Sequence, residues 1–314
     1  MRMQPHRTQM PSLHKRILSK LFRHSIARKM MFWFLIAALL PSIILSASSY
    51  YTAKTILRSS IQTKLKTVGL EKIEHLTHYL SLKEQETNAI GASLEVAEIF
   101  KKIKPAFDSG LGSDAYSYTY KNSAPHLKNL QETLGFYDLF LVSPEGNVIF
   151  TVKKEADLGI NIKNKNYDNT GLLEVFDKVS TSKETAISSF EHYPASNKPA
   201  SFIATPINHD GIYLGVLVVQ LSHEELYDIL TDYKDLGRTG ELVVASRVND
   251  KITIVAPLRL TADAPFKRTF HEYEDMALPI QAALSKKNGS GFSTDYRGKR
   301  VFAVWNYFPD LKWG

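Results

Sequence analysis

The stretch "YDLFLVSPEGNVIFTV", Tyr137–Val152, decides the fold of this 314-residue chain. Two runs of aliphatic and aromatic residues, the composition of buried β-strands, flank the polar link Ser-Pro-Glu-Gly-Asn. A short link with proline and glycine between two such runs predicts a β-hairpin. We therefore expect an antiparallel sheet to begin at Tyr137.

The segments around the hairpin extend this sheet. Downstream, "NTGLLEVFDKV" predicts a helix, and "AISSFEHY", "ASFIATPI" and "YLGVLVVQL" predict three further strands. Upstream, the Gly-, Ser-, Asp- and Tyr-rich segment Asp108–Ser123 predicts a loop, followed by a short helix at His126–Leu134. The order hairpin, helix and three strands predicts a five-stranded antiparallel sheet with helices on it, an α+β module.

A second, smaller set of elements repeats this order. It follows a connecting helix at Ser222–Leu230, which a Ser-x-x-Glu capping box opens. The repeated elements are the strands "GRTGELVVAS" and "KITIVAP", the helix "ALPIQAALSK", and the strands "GFSTDYRG" and "RVFAVWNYF". By analogy with the first set, we expect one more strand after Gly314. Without that strand, Val301–Phe308 is expected to be an exposed apolar edge, so a chain longer by about ten residues should be more stable.

The net charge of +7 comes from the N-terminus. Met1–Lys29 carries eight lysines and arginines and no acidic residue, which leaves 31 basic and 32 acidic residues for the rest of the chain. A nucleic-acid partner is therefore not expected. Met30–Ala53 is uncharged and long enough to cross a hydrocarbon core of about 30 Å. A basic tail before an apolar run predicts a transmembrane helix with a cytoplasmic N-terminus; the alternative is a signal peptide cleaved near Ser46.

Lys54–Ile103 contains no proline, and its apolar residues recur at steps of three and four. This pattern predicts a long amphipathic helix that leaves the membrane, with a break near Gly69 or Gly91. Such a helix could act as a stalk and pass a displacement to the bilayer.

Several of these stretches together resemble the double Cache (PDC, PAS-related) sensor regions of bacterial membrane receptors. The resemblance rests on "YDLFLVSPEGNVIFTVKKEADLGINI", "SNKPASFIATPI", "GIYLGVLVVQLS", "GRTGELVVAS" with "APLR", and "DYRGKRVFAVWNYFPDLKWG", which cover most of Tyr137–Gly314. It implies two tandem PAS-like modules outside the cell, and an output domain of the histidine kinase, diguanylate cyclase or chemoreceptor type beyond Gly314. The expected organisation is a tail (1–29), a transmembrane helix (30–53), a stalk helix (54–104), a membrane-distal module (105–230) and a membrane-proximal module (231–314).

The sequence offers no catalytic constellation. We find no phosphate loop, no nucleophile elbow and no zinc-protease motif, so the chain itself is not expected to be an enzyme. The absence of cysteine excludes disulfides, thiolate zinc sites and a cysteine nucleophile. His75 and His78 could share a helix face, but no third ligand accompanies them, and neither a metal site nor a cofactor is expected.

Ligand binding remains as the expected function. A small-molecule pocket needs apolar walls with a few polar groups, and an aspartate could hold a ligand ammonium group. The candidate residues in the distal module are Tyr137, Asp138, Asp157, Asn161, Tyr167, Tyr193, Phe202 and Thr205. In the resembling receptors that bind amino acids, an Arg-x-Trp-Tyr stretch grips the carboxylate; here "NKNYDNTG" stands in its place, so the ligand class stays open.

Two functional hypotheses follow. The first is the ligand-sensing input region of an inner-membrane receptor, with its modules in the periplasm and a homodimer formed through the stalk helix. The second is a membrane-anchored binding or scaffold protein with no output domain. The coding sequence after Gly314 would separate them.

Overall fold

The computed structural model describes residues 26–248, 251–261, 265–271 and 277–314. The chain divides into two compact units, residues 1–61 and 62–314. The basic tail predicted for Met1–Lys29 lies outside the described residues up to position 25.

The described part of the first unit is helical. Helix α1 is Ile26–Gly91, and it continues through Pro41. One segment of it is long and apolar enough to cross a membrane, judged by length and composition, with a mean hydropathy of 2.2. The prediction of a long apolar N-terminal helix is thereby confirmed.

The second unit combines helices with antiparallel strands. Its further helices are α2 Leu94–Asp108, α3 Asp114–Thr133, α4 Gly171–Ser182, α5 His223–Thr231 and α6 Leu278–Leu284. Its strands are β1 Asp138–Val142, β2 Val148–Thr151, β3 Ala186–Ile187, β4 Glu191–Tyr193, β5 Lys198–Ala200, β6 Phe202–His209, β7 Ile212–Gln220, β8 Ala245–Val248, β9 Lys251–Ile254, β10 Thr269–Phe270, β11 Gly289–Thr294 and β12 Arg300–Trp305. The α+β class predicted from the sequence is confirmed.

Helix α1 ends at one of the two glycines that the sequence indicated. A Cβ atom on Gly91 would lie 2.3 Å from Cγ2 of Thr205, so only glycine allows the helix to come this close to β6. Asn88, one turn earlier, accepts a hydrogen bond from the Thr205 hydroxyl at 2.8 Å. The end of α1 is therefore held directly against the sheet, whereas Gly69 lies inside the helix.

The loop predicted for Asp108–Ser123 is wrong, because α3 occupies most of that segment. The Ser113 hydroxyl caps the helix by accepting a hydrogen bond from the main-chain N–H of Tyr116 at 3.1 Å. Tyr116 and Tyr120, one turn apart, are buried and donate their hydroxyls to main-chain carbonyls of β2. Packing of these two rings outweighs the loop-like composition of the segment.

Five strands form one antiparallel sheet, as predicted, and their order is β2-β1-β7-β6-β3. Side chains alternate between its two faces, because successive residues of a strand point to opposite sides. Phe202 and Ala204 of β6 lie in the core that contains α4 residues, and Ile203 and Ile207 lie in the core that contains α2 residues. We call these sides the α4 face and the α2 face.

The remaining strands form smaller sheets. β10, β9 and β8 make a three-stranded sheet, β11 and β12 pair with each other, and β4 and β5 form a short hairpin that sequence reasoning read as parts of longer strands. Gly314 exchanges two main-chain hydrogen bonds with Ala245 of β8, at 3.0 and 2.8 Å. Trp313 packs edge to face on Phe190, with 5.5 Å between ring centroids.

Candidate functional site

Asp138, a predicted ligand residue, holds the β1–β2 hairpin together. Its fully buried carboxylate accepts hydrogen bonds from the main-chain N–H groups of Leu139, Val152 and Lys153 at 2.7, 3.0 and 3.1 Å. The Thr151 hydroxyl donates a fourth, at 2.9 Å. Burial raises the pKa of Asp138 to about 7 in spite of these donors. Both of its carboxylate oxygens accept hydrogen bonds from the protein, and through them Asp138 stabilises the hairpin.

Asp157 is as buried as Asp138, but its carboxylate accepts fewer hydrogen bonds from the protein. Its Oδ2 accepts a hydrogen bond from the Tyr193 hydroxyl at 3.0 Å. Its Oδ1 is buried and has no hydrogen-bond partner within the described ranges. Burial, together with the nearby Glu155 carboxylate, raises the pKa of Asp157 to about 6. A buried carboxylate oxygen without a donor is costly, and such groups call for a functional explanation.

Aromatic rings surround the pair formed by Asp157 and Tyr193. The Tyr193 ring, on β4, meets Phe202 of β6 edge to face, with centroids 4.9 Å apart. Tyr167, from the 3-10 helix Lys165–Tyr167, lies at 6.4 Å from Tyr193, and Phe140 of β1 lies at 6.2 Å from Phe202. The sequence-predicted residues Asp157, Tyr167, Tyr193 and Phe202 thus come together on the α4 face.

Two further acceptors near this group were missed by sequence reasoning. Oε2 of Glu155 is buried and has no partner among the residues that the structure describes, while Oε1 accepts a hydrogen bond from the Tyr137 hydroxyl at 2.6 Å. Gln220, at the end of β7, is 1% exposed, and its Oε1 also lacks a partner in the part of the chain that the structure describes. A sequence signal existed for Gln220, because it ends the apolar run "VLVV" on a central strand.

The three unpartnered atoms, on Glu155, Asp157 and Gln220, are all hydrogen-bond acceptors. We call these three residues the acceptor set. Glu155 stands two residues before Asp157 in the chain. Gln220 is the register neighbour of both Asp138 and Phe202, and its alternation along β7 places it on the α4 face. A group that satisfied these atoms would have to supply donors, as an ammonium group does.

Two predicted residues lie elsewhere. Thr205 sits an odd number of positions from Phe202 on β6, so it points to the α2 face, where it bonds Asn88. Asn161 donates its side-chain N–H to the Glu145 carbonyl at 3.1 Å and to Asn147 Oδ1 at 3.0 Å, and thereby braces the hairpin turn. Neither residue contributes to the aromatic group around Asp157.

No group of three or more His, Cys, Asp and Glu side chains within the described ranges has a geometry that could hold a metal ion. The carboxylates near Tyr193 therefore offer charge and hydrogen-bond acceptors without a coordination shell.

A family model described as Cache domain matches residues 53–314. Among solved structures, the ligand-binding domain of the Campylobacter jejuni chemoreceptor Tlp3 in complex with L-valine has a TM-score of 0.51 and 12% identity, over 83% of this chain and 92% of that one. The same domain with 4-methylisoleucine gives a TM-score of 0.52 and 13% identity, over 82% and 88%.

The sensor domain of the V. cholerae histidine kinase DctB has a TM-score of 0.41 and 15% identity over 61% of this chain, which spans 63% of that domain. No curated protein sequence matches the chain. At these identities the structural neighbours show the fold alone.

Proposed function

We propose that this chain, which belongs to the Cache domain family, senses a small solute through an ammonium group that pairs with Asp157. The observation that carries the proposal is the buried, unpartnered Oδ1 of Asp157. A charge-assisted hydrogen bond from an ammonium group would satisfy it, and such bonds are stronger than neutral ones. The rings of Tyr193 and Phe202 add an aromatic wall, which attracts cations as well as apolar groups.

The surroundings of Asp157 favour an amine over an amino acid. The structural neighbours include a chemoreceptor domain in complex with L-valine, which carries both an ammonium and a carboxylate group. This chain has no arginine between Arg58 and Arg238, so no guanidinium from that whole segment can grip a carboxylate. The acceptor set would repel a carboxylate. We therefore propose a ligand that carries an ammonium group without a carboxylate beside it.

Strand β6 offers a route from this site to α1. Phe202 contacts the Tyr193 ring on the α4 face. Three residues later, the Thr205 hydroxyl donates a hydrogen bond to Asn88 of α1 on the opposite face. A shift of β6 on ligand binding would therefore reach the end of α1. A ligand changes the balance of two conformations only through its different affinities for them. We propose that α1 carries this displacement towards the membrane.

The melting temperature of the full-length chain in detergent, measured with an amine, a carboxylate or an amino acid, tests which class of ligand binds. Isobutylamine and isovalerate are the decarboxylated and deaminated counterparts of L-valine. We expect isobutylamine to raise the melting temperature, because at 100 times its dissociation constant a ligand adds about 2.7 kcal/mol. We expect isovalerate to have no effect and L-valine to be weaker than isobutylamine. The variant Asp157→Asn should lose the response to isobutylamine. Stabilisation by isovalerate, or an unchanged response in Asp157→Asn, would refute the proposal.

Membrane topology can be tested because the chain contains no cysteine. We propose that Met30–Ala53 spans the inner membrane with the second unit outside the cytoplasm. Ser285→Cys, at an exposed position after α6, should react with a membrane-impermeant maleimide in spheroplasts. Ser19→Cys, in the basic tail, should react only after the membrane is permeabilised. The reverse pattern would show the opposite orientation.

A further inference from the structure

Gln220 lies beside the residues of the candidate site. It ends β7, the middle strand of the five-stranded sheet, and pairs in register with Asp138 on one side and Phe202 on the other. Phe202 in turn touches Tyr193, whose hydroxyl reaches Asp157. A ligand lying along these two rings would have Asp157 near one end and Gln220 near the other.

The carboxamide of Gln220 is only half satisfied. Nε2 donates a hydrogen bond of 3.3 Å to the hydroxyl of Ser196, in the turn of the β4–β5 hairpin. Oε1 has no partner among the described residues, although the side chain is 1% exposed. An apolar side chain of similar size would remove this deficit, so packing alone does not explain a glutamine at this position.

We propose that Gln220 recognises a second hydrogen-bond donor on the ligand, which makes the ligand an amine that also carries a hydroxyl or amide N–H group. The inference rests on the proposed function, because it takes Asp157 as the partner of the ammonium group. Gln220 then determines specificity among amines: one with a second donor satisfies Oε1, and one without it leaves the buried oxygen unpaired. Sites built around a buried polar group discriminate strongly against ligands that lack the matching group.

Isothermal titration of the full-length chain in detergent with L-valinol and isobutylamine tests this inference. The two probes share an ammonium group and a branched apolar end, and only L-valinol has a hydroxyl group. We expect the wild type to bind L-valinol at least tenfold more tightly than isobutylamine. In Gln220→Met this preference should disappear, because the affinity for L-valinol falls while that for isobutylamine stays within twofold. The ligand-free melting temperature of Gln220→Met should be equal to or above that of the wild type.

Gln131→Met is the matched control. Gln131 is also buried, but its Nε2 donates to the carbonyls of Phe136 and Tyr137, so its replacement should lower the melting temperature and leave the L-valinol preference unchanged. A wild type without preference for L-valinol, or a Gln220→Met variant that keeps it, would overturn the assignment of Gln220. An equal loss of affinity for both probes would also overturn it. If neither amine binds the wild type, the proposed function itself fails, and the two failures are thus distinguished.

Discussion

Replacing Asp138 by alanine is expected to lower the free energy of unfolding by about 4 kcal/mol. The substitution leaves three main-chain N–H groups and the Thr151 hydroxyl without their acceptor at the end of the β1–β2 hairpin. Each buried donor left without a partner costs about 1–3 kcal/mol. Water entering the gap would recover part of this loss, which is why the expected value lies below the sum.

Asp157→Ala provides the matched control for Asp138→Ala. Both aspartates are fully buried, but among the described residues Asp157 accepts one side-chain hydrogen bond, from Tyr193, and its Oδ1 has no partner. Its removal should change the free energy of unfolding by less than about 1 kcal/mol, because the lost bond and the relieved deficit offset each other. Denaturant unfolding followed by tryptophan fluorescence gives both values. A small loss in Asp138→Ala, or equal losses in the two variants, would contradict the structural role assigned to Asp138.

The different hydrogen-bond partners of Asp138 and Asp157 could not be predicted from the sequence. Asp138 and Asp157 are the same residue type, lie near the same hairpin and are equally buried, and sequence reasoning assigned both to a ligand pocket. In the structure they differ in the groups that donate hydrogen bonds to them. The hydrogen bonds to Asp138 depend on how the start of β1 meets the segment after β2, and no residue pattern specifies that contact.

The five-stranded sheet was predictable because its strands carry strong local signals. The hairpin Tyr137–Val152 has two apolar runs and a turn sequence, and β7 is an unbroken apolar run. The second half of helix α3 was predicted, as the helix expected at His126–Leu134, but its first half was not, because its Ser, Asp and Tyr residues are typical of a loop when taken singly. The sequence signal for this part of the helix was the spacing of Tyr116 and Tyr120, one helical turn apart. Their hydroxyls donate to main-chain carbonyls of β2, a contact that the sequence does not reveal.

Several residues of the candidate site were predicted, but the contacts among them were not, because some of these contacts depend on elements with weak local signals. Tyr193 meets Asp157 only because the β4–β5 hairpin passes over the α4 face, and that short hairpin has weak strand signals. By contrast, the separation of Phe202 and Thr205 follows from the alternation of side chains along a strand. An odd spacing on one strand places two residues on opposite faces, so this pair could have been separated from the sequence alone.

The affinity for isobutylamine is expected to fall by up to tenfold per pH unit below about pH 6, while the ligand-free protein becomes more stable. Binding an ammonium group requires an ionised Asp157, whose pKa burial raises to about 6. The titratable groups that face this carboxyl are Tyr193, Glu155, Tyr167 and Asp138. The ligand amine stays protonated over this range, so the protein is the source of the dependence.

The stability of the ligand-free protein should change in the opposite direction. The pKa of Asp157 in the folded chain lies above its ordinary value of 3.8, so its contribution to stability is fully present below that value and is lost as the pH rises through about 6. Burial also raises the pKa values of Asp138 and Glu191 to about 7, which acts in the same direction. These three carboxyls should therefore raise the melting temperature as the pH falls from 8 to 5, against a smaller opposing contribution from His223, whose pKa is lowered by burial.

Titrations of isobutylamine at several pH values between 5 and 8, with melting curves of the ligand-free chain at each, measure both effects. Asp157→Asn separates them. Any residual binding of isobutylamine by this variant should be independent of pH below 7, because no carboxyl remains at that position to be neutralised. Its melting temperature should still rise on acidification, through Asp138 and Glu191. Affinity that stays constant from pH 7 to pH 5 in the wild type would mean that the ligand does not pair with the Asp157 carboxylate.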